Sequence, residues 1–307
     1  MVHHPYSVPK NKKIRLIINT DAKNEADDQF AIAHALLTPQ FDVKGIIAAH
    51  FGEHRTTTSM EESYDEVVKL LKLMGLDDEV NVYRGAERAI RDERSPAKSE
   101  GAELIIKEAL SDDPKPLFVI FLGPITDLAT AYIENPKIVE NMTAVWIGCG
   151  AWPEGEDEFN LSNDINAANV VFRSNIPLWV IPRNVYSTIR VSIAELAVKV
   201  KPCGDVGEYL YQQLIDFNNL MEHNRDWPKG EMWSLGDSPA VSVLLDNHEY
   251  GYNLLPAPRI TKNMRYVHDQ QTRLIRWYHY IDPRFTLEDM FAKFQLHYGK
   301  FGISEIQ

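Results

Sequence analysis

Six short runs rich in β-branched and aromatic residues (IRLIIN, FDVKGIIAA, VNVYR, PLFVIFL, TAVWIG and IPLWVI) recur between residue 14 and about residue 182, with longer helix-compatible stretches between them. Parallel strands need connections of that length, usually a helix, whereas antiparallel neighbours are joined by short turns. Several runs are apolar at consecutive rather than alternate positions, so both faces of the sheet must be covered. The expected fold is therefore α/β: a doubly wound, mostly parallel sheet flanked by helices near residues 27–37, 56–74, 98–110, 127–134 and 166–174. Beyond Ile181 the pattern changes. Helices are expected at 192–200 and 206–219, followed by the aromatic and charged stretch EHNRDWPKGEMWSLGDSPAV. A β-hairpin from YNLLPAPRI and TRLIRWYHYI and a last helix near 286–298 complete the chain as additions around the sheet. Without a Pro-, Gly- or Ser-rich linker or an internal repeat, residues 1–307 are expected to form one domain.

Charge narrows the partners. The 44 acidic against 32 basic residues give a net charge of -12, which repels phosphate backbones and anionic lipid, and no basic run compensates. Neither a nucleic acid nor a membrane partner is expected. Cys149 and Cys203 are too few for a disulfide framework or a thiolate zinc site, which suits a reducing compartment. The N-terminal MVHHPYSVPKNKK has no apolar run of a secretory signal, and no later stretch approaches the ~18 apolar residues that would span a bilayer. These features point to a soluble, cytoplasmic protein.

In an open α/β sheet, ligands collect beyond the carboxyl ends of the strands, where loops converge and helix N-termini point inward. The first strand ends in NTDAKNEADDQFAIAHAL, which delivers Asp21 at the strand end and Asp27 and Asp28 where the next helix begins. Counting Glu25, four carboxylates fall within eight residues and repel one another unless a cation or shared protons compensate. Acidic residues also favour helix N-termini by capping and by the macrodipole, so Asp27 alone would mean little. Together with Asp21 and Asp28 it points to a hard divalent cation. The donors are all oxygen, which favours calcium first and magnesium second. Two more strand or helix ends add donors: FLGPITDLATA exposes backbone carbonyls around Thr126, and SLGDSPAV sets Asp237 just ahead of Pro239 at a helix start.

These segments resemble the inosine-uridine nucleoside hydrolase family, whose first loop reads Asp-X-Asp-Pro-Gly-X-Asp-Asp. The likeness continues through VKGIIAAHFG, DEVVKLLKLMGLDDEVNVYRGAERAI, LGPITDLA, GCGAW with EFNLSNDINAANVVF, and GDSPAV, in order, over about residues 14–246. The resemblance implies a calcium-dependent hydrolase of N-glycosidic bonds in ribonucleosides or related ribosides. Carried over, it makes Asp21 a metal ligand and the base that deprotonates the attacking water. It makes Asp28, Asp237 and the backbone carbonyl of Thr126 the other metal ligands. Asp27 would grip a ribose hydroxyl, and Glu158 and Asn160 would hold the others. Homodimers or homotetramers are also implied.

Three departures stand out. Asp21 and Asp27 are six apart, two more than in the family loop, with AKNEA in place of the Pro-Gly pair. This longer form resembles relatives linked to carbohydrate metabolism. Asn19 replaces the first carboxylate, and Gly236 stands where the family carries a His thought to assist the departing base. His50, His54 and His223 are the remaining candidates for that task, and Trp152, Trp227 and Trp233 are candidates to stack on a base, although such residues more often serve packing. Three other readings compete. One is a glycosidase or ribosidase acting on a non-nucleoside conjugate, which the longer loop and Gly236 favour. Another is a phosphatase with a strand-end Asp pair, which Asn19 disfavours by removing the nucleophile. The third is a non-catalytic, metal-dependent sugar-binding relative.

Overall fold

The computed structural model describes residues 4–247, 249–268 and 272–299. Its first strand, β1 (Ile14–Thr20), is buried along its whole length. Leu16 and Ile18 enter one core, and Ile17 between them enters the other. That period of two explains why the run is apolar throughout: the pleat sends alternate side chains to two helix layers. Each fully buried Ile or Leu of this kind contributes ~1.5–3 kcal/mol.

The chain continues through α1 (Asp28–Leu36), β2 (Phe41–Ala48), α2 (Ser59–Met74), β3 (Val82–Arg84), α3 (Glu100–Ala109), β4 (Leu117–Phe121), α4 (Thr126–Glu134) and β5 (Met142–Ile147). Then come α5 (Phe159–Asn163), α6 (Ile165–Arg173), β6 (Leu178–Ile181), α7 (Arg183–Tyr186), β7 (Arg190–Ser192), α8 (Ile193–Lys199) and α9 (Gly204–Leu220). The remainder is β8 (Met232–Ser234), α10 (Pro239–Leu245), β9 (Tyr252–Pro256), β10 (Arg259–Ile260), β11 (Tyr266–Val267), β12 (Leu274–Tyr278) and α11 (Pro283–Tyr298). All eight helices expected from the sequence form, with ends displaced by at most three residues.

The central sheet has eight strands in the order β3-β2-β1-β4-β5-β6-β12-β9. All neighbours from β3 to β12 run parallel, and β9 alone is antiparallel. The order reverses direction between β1 and β4, and a crevice is expected beyond the carboxyl ends of strands at such a switch point. Two departures from the sequence reading have physical causes. The C-terminal hairpin extends the sheet instead of lying around it, because Ile275 and Trp277 of β12 continue the core laid down by Leu178 and Val180 of β6. YNLLPAPRI splits into β9 and β10, since Pro256 and Pro258 cannot donate to a ladder.

Candidate active site

A cleft of about 430 Å³ opens at the switch point, and its walls come from Asp21, Asp27 and Asp28, from Leu122 after β4, from Glu158 and Asn160 around α5, and from residues 183–237. A more open depression of about 540 Å³ beside β3 and α3 is lined by charged side chains, Arg84, Arg88, Lys98, Glu100 and Glu103, all of them exposed. Only the first gathers buried carboxylates.

The floor is built by three elements. Asp21 leaves the end of β1, and Asp27 and Asp28 begin α1. Packing of α10 on α1 brings in Asp237 from the other end of the chain. One carboxylate oxygen each from Asp27, Asp28 and Asp237 lies within 4.8 Å of the others, and all three side chains are buried. Asp27 accepts from the backbone N–H of Gly236 at 2.9 Å, and Asp28 accepts from Thr20 Oγ1 at 2.5 Å. Asp21 is 1% exposed, and its Oδ2 has no hydrogen-bond partner. A Cβ on Gly123 would stand 2.8 Å from Asp21 Cγ, so only glycine lets the β4 turn press this close.

Burial and mutual repulsion push these carboxyls up. Asp21 is raised by desolvation and by the charges of Asp28, Glu25 and Asp27. Asp27 and Asp237 are raised likewise, by burial first and neighbouring acids second. Asp28 moves up to about 6, mainly by burial, against the relief that Thr20 provides. Glu25, half-buried beside them, rises to about 7 by burial and the charge of Asp28, with Arg55 opposing. A site that strains its own acids in this way is arranged for a counter-charge.

Glu158 and Asn160 are braced rather than loose. Glu158 caps α5 and accepts from the N–H groups of Cys149 (2.9 Å), Asn160 (3.2 Å) and Leu161 (2.8 Å) and from the Tyr186 hydroxyl (2.9 Å). Asn160 Nδ2 donates to the carbonyls of Leu122 (2.7 Å) and Ile147 (2.9 Å), which leaves Oδ1 as its free acceptor. Outward from this floor, Phe159, Tyr186, Trp227 and Met232 add apolar surface.

A profile of the inosine-uridine preferring nucleoside hydrolase family matches residues 16–282. The chain belongs to that family. It is thus a hydrolase acting on N-glycosyl compounds. The pyrimidine-specific ribonucleoside hydrolase RihA of Citrobacter koseri is 25% identical over 240 residues, covering 69% of this chain and 72% of that relative. The purine-preferring ribonucleoside hydrolase of Gardnerella vaginalis superposes with a TM-score of 0.76 at 21% identity, over 93% of this chain and 99% of that one. A nucleoside hydrolase-related protein of Saccharophagus degradans, associated with carbohydrate metabolism, superposes with a TM-score of 0.61 at 17% identity, over 92% of this chain and 71% of its own. These structural likenesses establish a shared fold.

Against the nucleoside hydrolase pattern, the structure gathers Asp21, Asp27, Asp28, Asp237, Glu158 and Asn160 in one cleft. Thr126, His50, His54, His223, Trp152 and Trp233 lie elsewhere, whereas Trp227 lines the cleft. Thr126 is the first residue of α4, so its carbonyl points along the helix, and its hydroxyl donates to Asp164 at 2.8 Å. From that turn it is Leu122 that lines the cleft. His50 is wholly buried, with Nε2 2.9 Å from Thr126 Oγ1 and Nδ1 accepting from Gly52 N. Because Thr126 spends its proton on Asp164, His50 must donate through Nε2, and burial holds it neutral by bringing its pKa down to about 4. Trp152 packs with Tyr266, His268 and Trp277 below the C-terminal strands, and His223 is exposed away from the cleft. His54 is also exposed and outside it. Cys149 is buried, with its thiol pushed up by desolvation and by Glu158, so it is no nucleophile.

Gly236 is explained by Tyr186. A Cβ at 236 would stand 3.0 Å from Tyr186 Cδ2, so the tyrosine ring occupies the room a side chain there would need. Asn19 is explained by Asp127: its Nδ2 donates to Asp127 Oδ2 at 2.8 Å, where a second carboxylate would repel. The sequence reading missed Tyr186, which closes α7, the short helix after β6, whereas Asp21 follows β1 directly; the strand-end rule extended across that helix would have found it.

Proposed function

We propose that this chain hydrolyses the N-glycosidic bond of a ribonucleoside or related riboside, with calcium held by Asp21, Asp28 and Asp237 and with Asp21 as the base. The observation that carries this reading is the convergence of buried carboxylates from both ends of the chain beside an orphaned Asp21 oxygen. Asp27, Asp28 and Asp237 each bring an oxygen within 4.8 Å of the others, and the charges of Asp28, Glu25 and Asp27 bear on Asp21, so this all-oxygen, mutually repelling set suits such an ion. From the β4 turn Leu122 lines the cleft and Thr126 does not, so the Leu122 carbonyl, which also accepts from Asn160 Nδ2, would be the backbone ligand. When bound, a hard divalent cation lowers the pKa of its water and grips vicinal hydroxyls.

The remaining work falls to the chain. Asp21 Oδ2, free of any protein donor, accepts the proton of the attacking water. Asp27 is anchored by Gly236 through one oxygen and presents the other to a ribose hydroxyl. Asn160 Oδ1 accepts from a second hydroxyl, and Glu158, pinned by its cap, fixes that edge of the pocket. The same carboxylates stabilise positive charge developing on the sugar in an oxocarbenium-like transition state.

Among the described residues no histidine lines the cleft, and the Tyr186 hydroxyl is committed to Glu158. That favours a second reading, a ribosidase whose leaving group needs little protonation. One assay separates the readings. Chelator-treated protein resupplied with calcium is given uridine, inosine and a nitrophenyl riboside, and ribose release is measured. Turnover is expected, and Asp21→Ala should lower kcat by ~10³-fold. Turnover of the nitrophenyl riboside alone would select the ribosidase. Tight ribose binding without release from any substrate, with Asp21→Asn behaving like the parent, would leave only a sugar-binding protein.

A further inference from the structure

On the reading that the chain acts on ribosides, we propose that its substrate carries an anionic group, a carboxylate or a phosphate, bound at the cleft mouth by Arg183, Arg190 and Lys229. All three side chains are exposed and all three line the cleft whose floor is the buried acid cluster. They come from separate elements. Arg183 opens α7, Arg190 lies on β7, and Lys229 sits in the loop before β8. Antiparallel pairing of β7 with β8, which sets Arg190 opposite Ser234, brings them to the same opening.

Among the described residues, none of these cations is neutralised by a carboxylate. Arg183 Nη1 donates to the backbone carbonyl of Asp157 at 2.8 Å, and Arg190 Nε donates weakly to that of Ser187 at 3.4 Å. Among the described residues none of the three forms an ion pair, whereas Arg84, Lys115, Lys199 and Arg259 elsewhere each meet a carboxylate. In a chain with 44 acidic residues against 32 basic ones, three unpaired cations around one cleft are a local reversal of sign. Asp226 is the exposed carboxylate at the same opening, so the mouth remains net positive.

This placement divides the labour within the cleft. The acidic floor would repel an anion and stabilise a cationic sugar, so an anionic substituent must project outward to reach the mouth. Trp227 and Phe159 lie on that outward path and offer a planar face to an aglycone. Cations beside aromatic surface suit a charged, planar leaving group or a charged group on the sugar's exocyclic carbon.

The test compares kcat/KM for uridine, uridine 5′-monophosphate and orotidine with the calcium-supplied full-length protein at low and high salt. It uses the wild type, Arg190→Gln/Lys229→Gln and Arg190→Glu, and adds calorimetric titration with ribose and ribose 5-phosphate. One anionic riboside should exceed uridine by about tenfold, the preference shrinking with salt, disappearing in the double variant and inverting in Arg190→Glu. A lead for the monophosphate with tighter binding of ribose 5-phosphate places the anion on the sugar; a lead for orotidine places it on the aglycone. Uridine turnover equal to or above both anionic ribosides, or an unchanged preference in folded variants, would overturn the proposal while leaving the riboside reading intact. If no riboside is turned over and ribose does not bind, both fail together.

Discussion

At the floor of the cleft, Asp21, Asp27, Asp28 and Asp237 are buried on strand and helix ends that the sheet itself fixes. At its mouth, Arg183, Arg190 and Lys229 are exposed, and they ride on a four-residue helix, a three-residue strand and a loop. The floor cannot shift without disturbing two core layers, whereas the exposed side chains at the mouth can be exchanged while Val185 and Val191 beside them stay in the core. The contrast suits an enzyme that keeps one chemistry, cleaving a bond to a sugar, and varies what is attached to that sugar.

The comparison can be broken at either end. The larger effect is expected at the floor. Gly123→Ala places a methyl 2.8 Å from Asp21 Cγ. Displacing the base by even a fraction of an ångström should cost ~10–100-fold in kcat with KM little changed, measured by steady-state kinetics. An unchanged kcat would mean that Asp21 is not held against the β4 turn for catalysis. The smaller effect is expected at the mouth. Trp227 packs edge-on to Phe217 and tilted against Trp233, with centroids 5.6 and 5.4 Å away, and presents the rest of its ring to the cleft. Trp227→Ala should raise KM by about tenfold for aromatic aglycones and much less for ribosides without one. Equal losses for both would move the aglycone elsewhere.

The two regions also differed in how legible they were. The fold could be read because β1, β4, β5 and β6 are apolar on both faces, which only a doubly covered sheet allows. Much of the floor could be read because Asp21, Asp27 and Asp28 are neighbours in sequence and the strand-end rule says where they point. Asp237 could be read as a carboxylate at a helix start, but joining it to the first acidic loop needed the family likeness, since nothing local announces that α10 packs on α1. The mouth was opaque because it depends on the pairing of two three-residue strands, too short to show a period. His50 and Trp152 misled for a related reason: a loop histidine and a loop tryptophan look accessible in sequence, yet Thr126 buries one and Trp277 packs against the other. The hairpin's docking beside β6 was likewise a tertiary choice, set by apolar side chains far apart in the chain.

The central claim is that the acid cluster exists to hold a cation. Its carboxyls are raised, Asp28 to about 6 and Glu25 to about 7, so the metal-free folded chain keeps protons that the unfolded chain releases near pH ~4. The stability of the metal-free protein therefore falls as pH rises from about 4 through about 7, and a cation that takes the deprotonated cluster restores it over the same interval. The direct measurement is thermal unfolding of chelator-treated protein with and without excess calcium at pH 5 and pH 8. The account predicts a rise in Tm of roughly 5 °C at pH 8, little change at pH 5, and loss of the pH 8 rise in Asp28→Asn. Superimposable curves at pH 8, or an equal rise in Asp28→Asn, would contradict it.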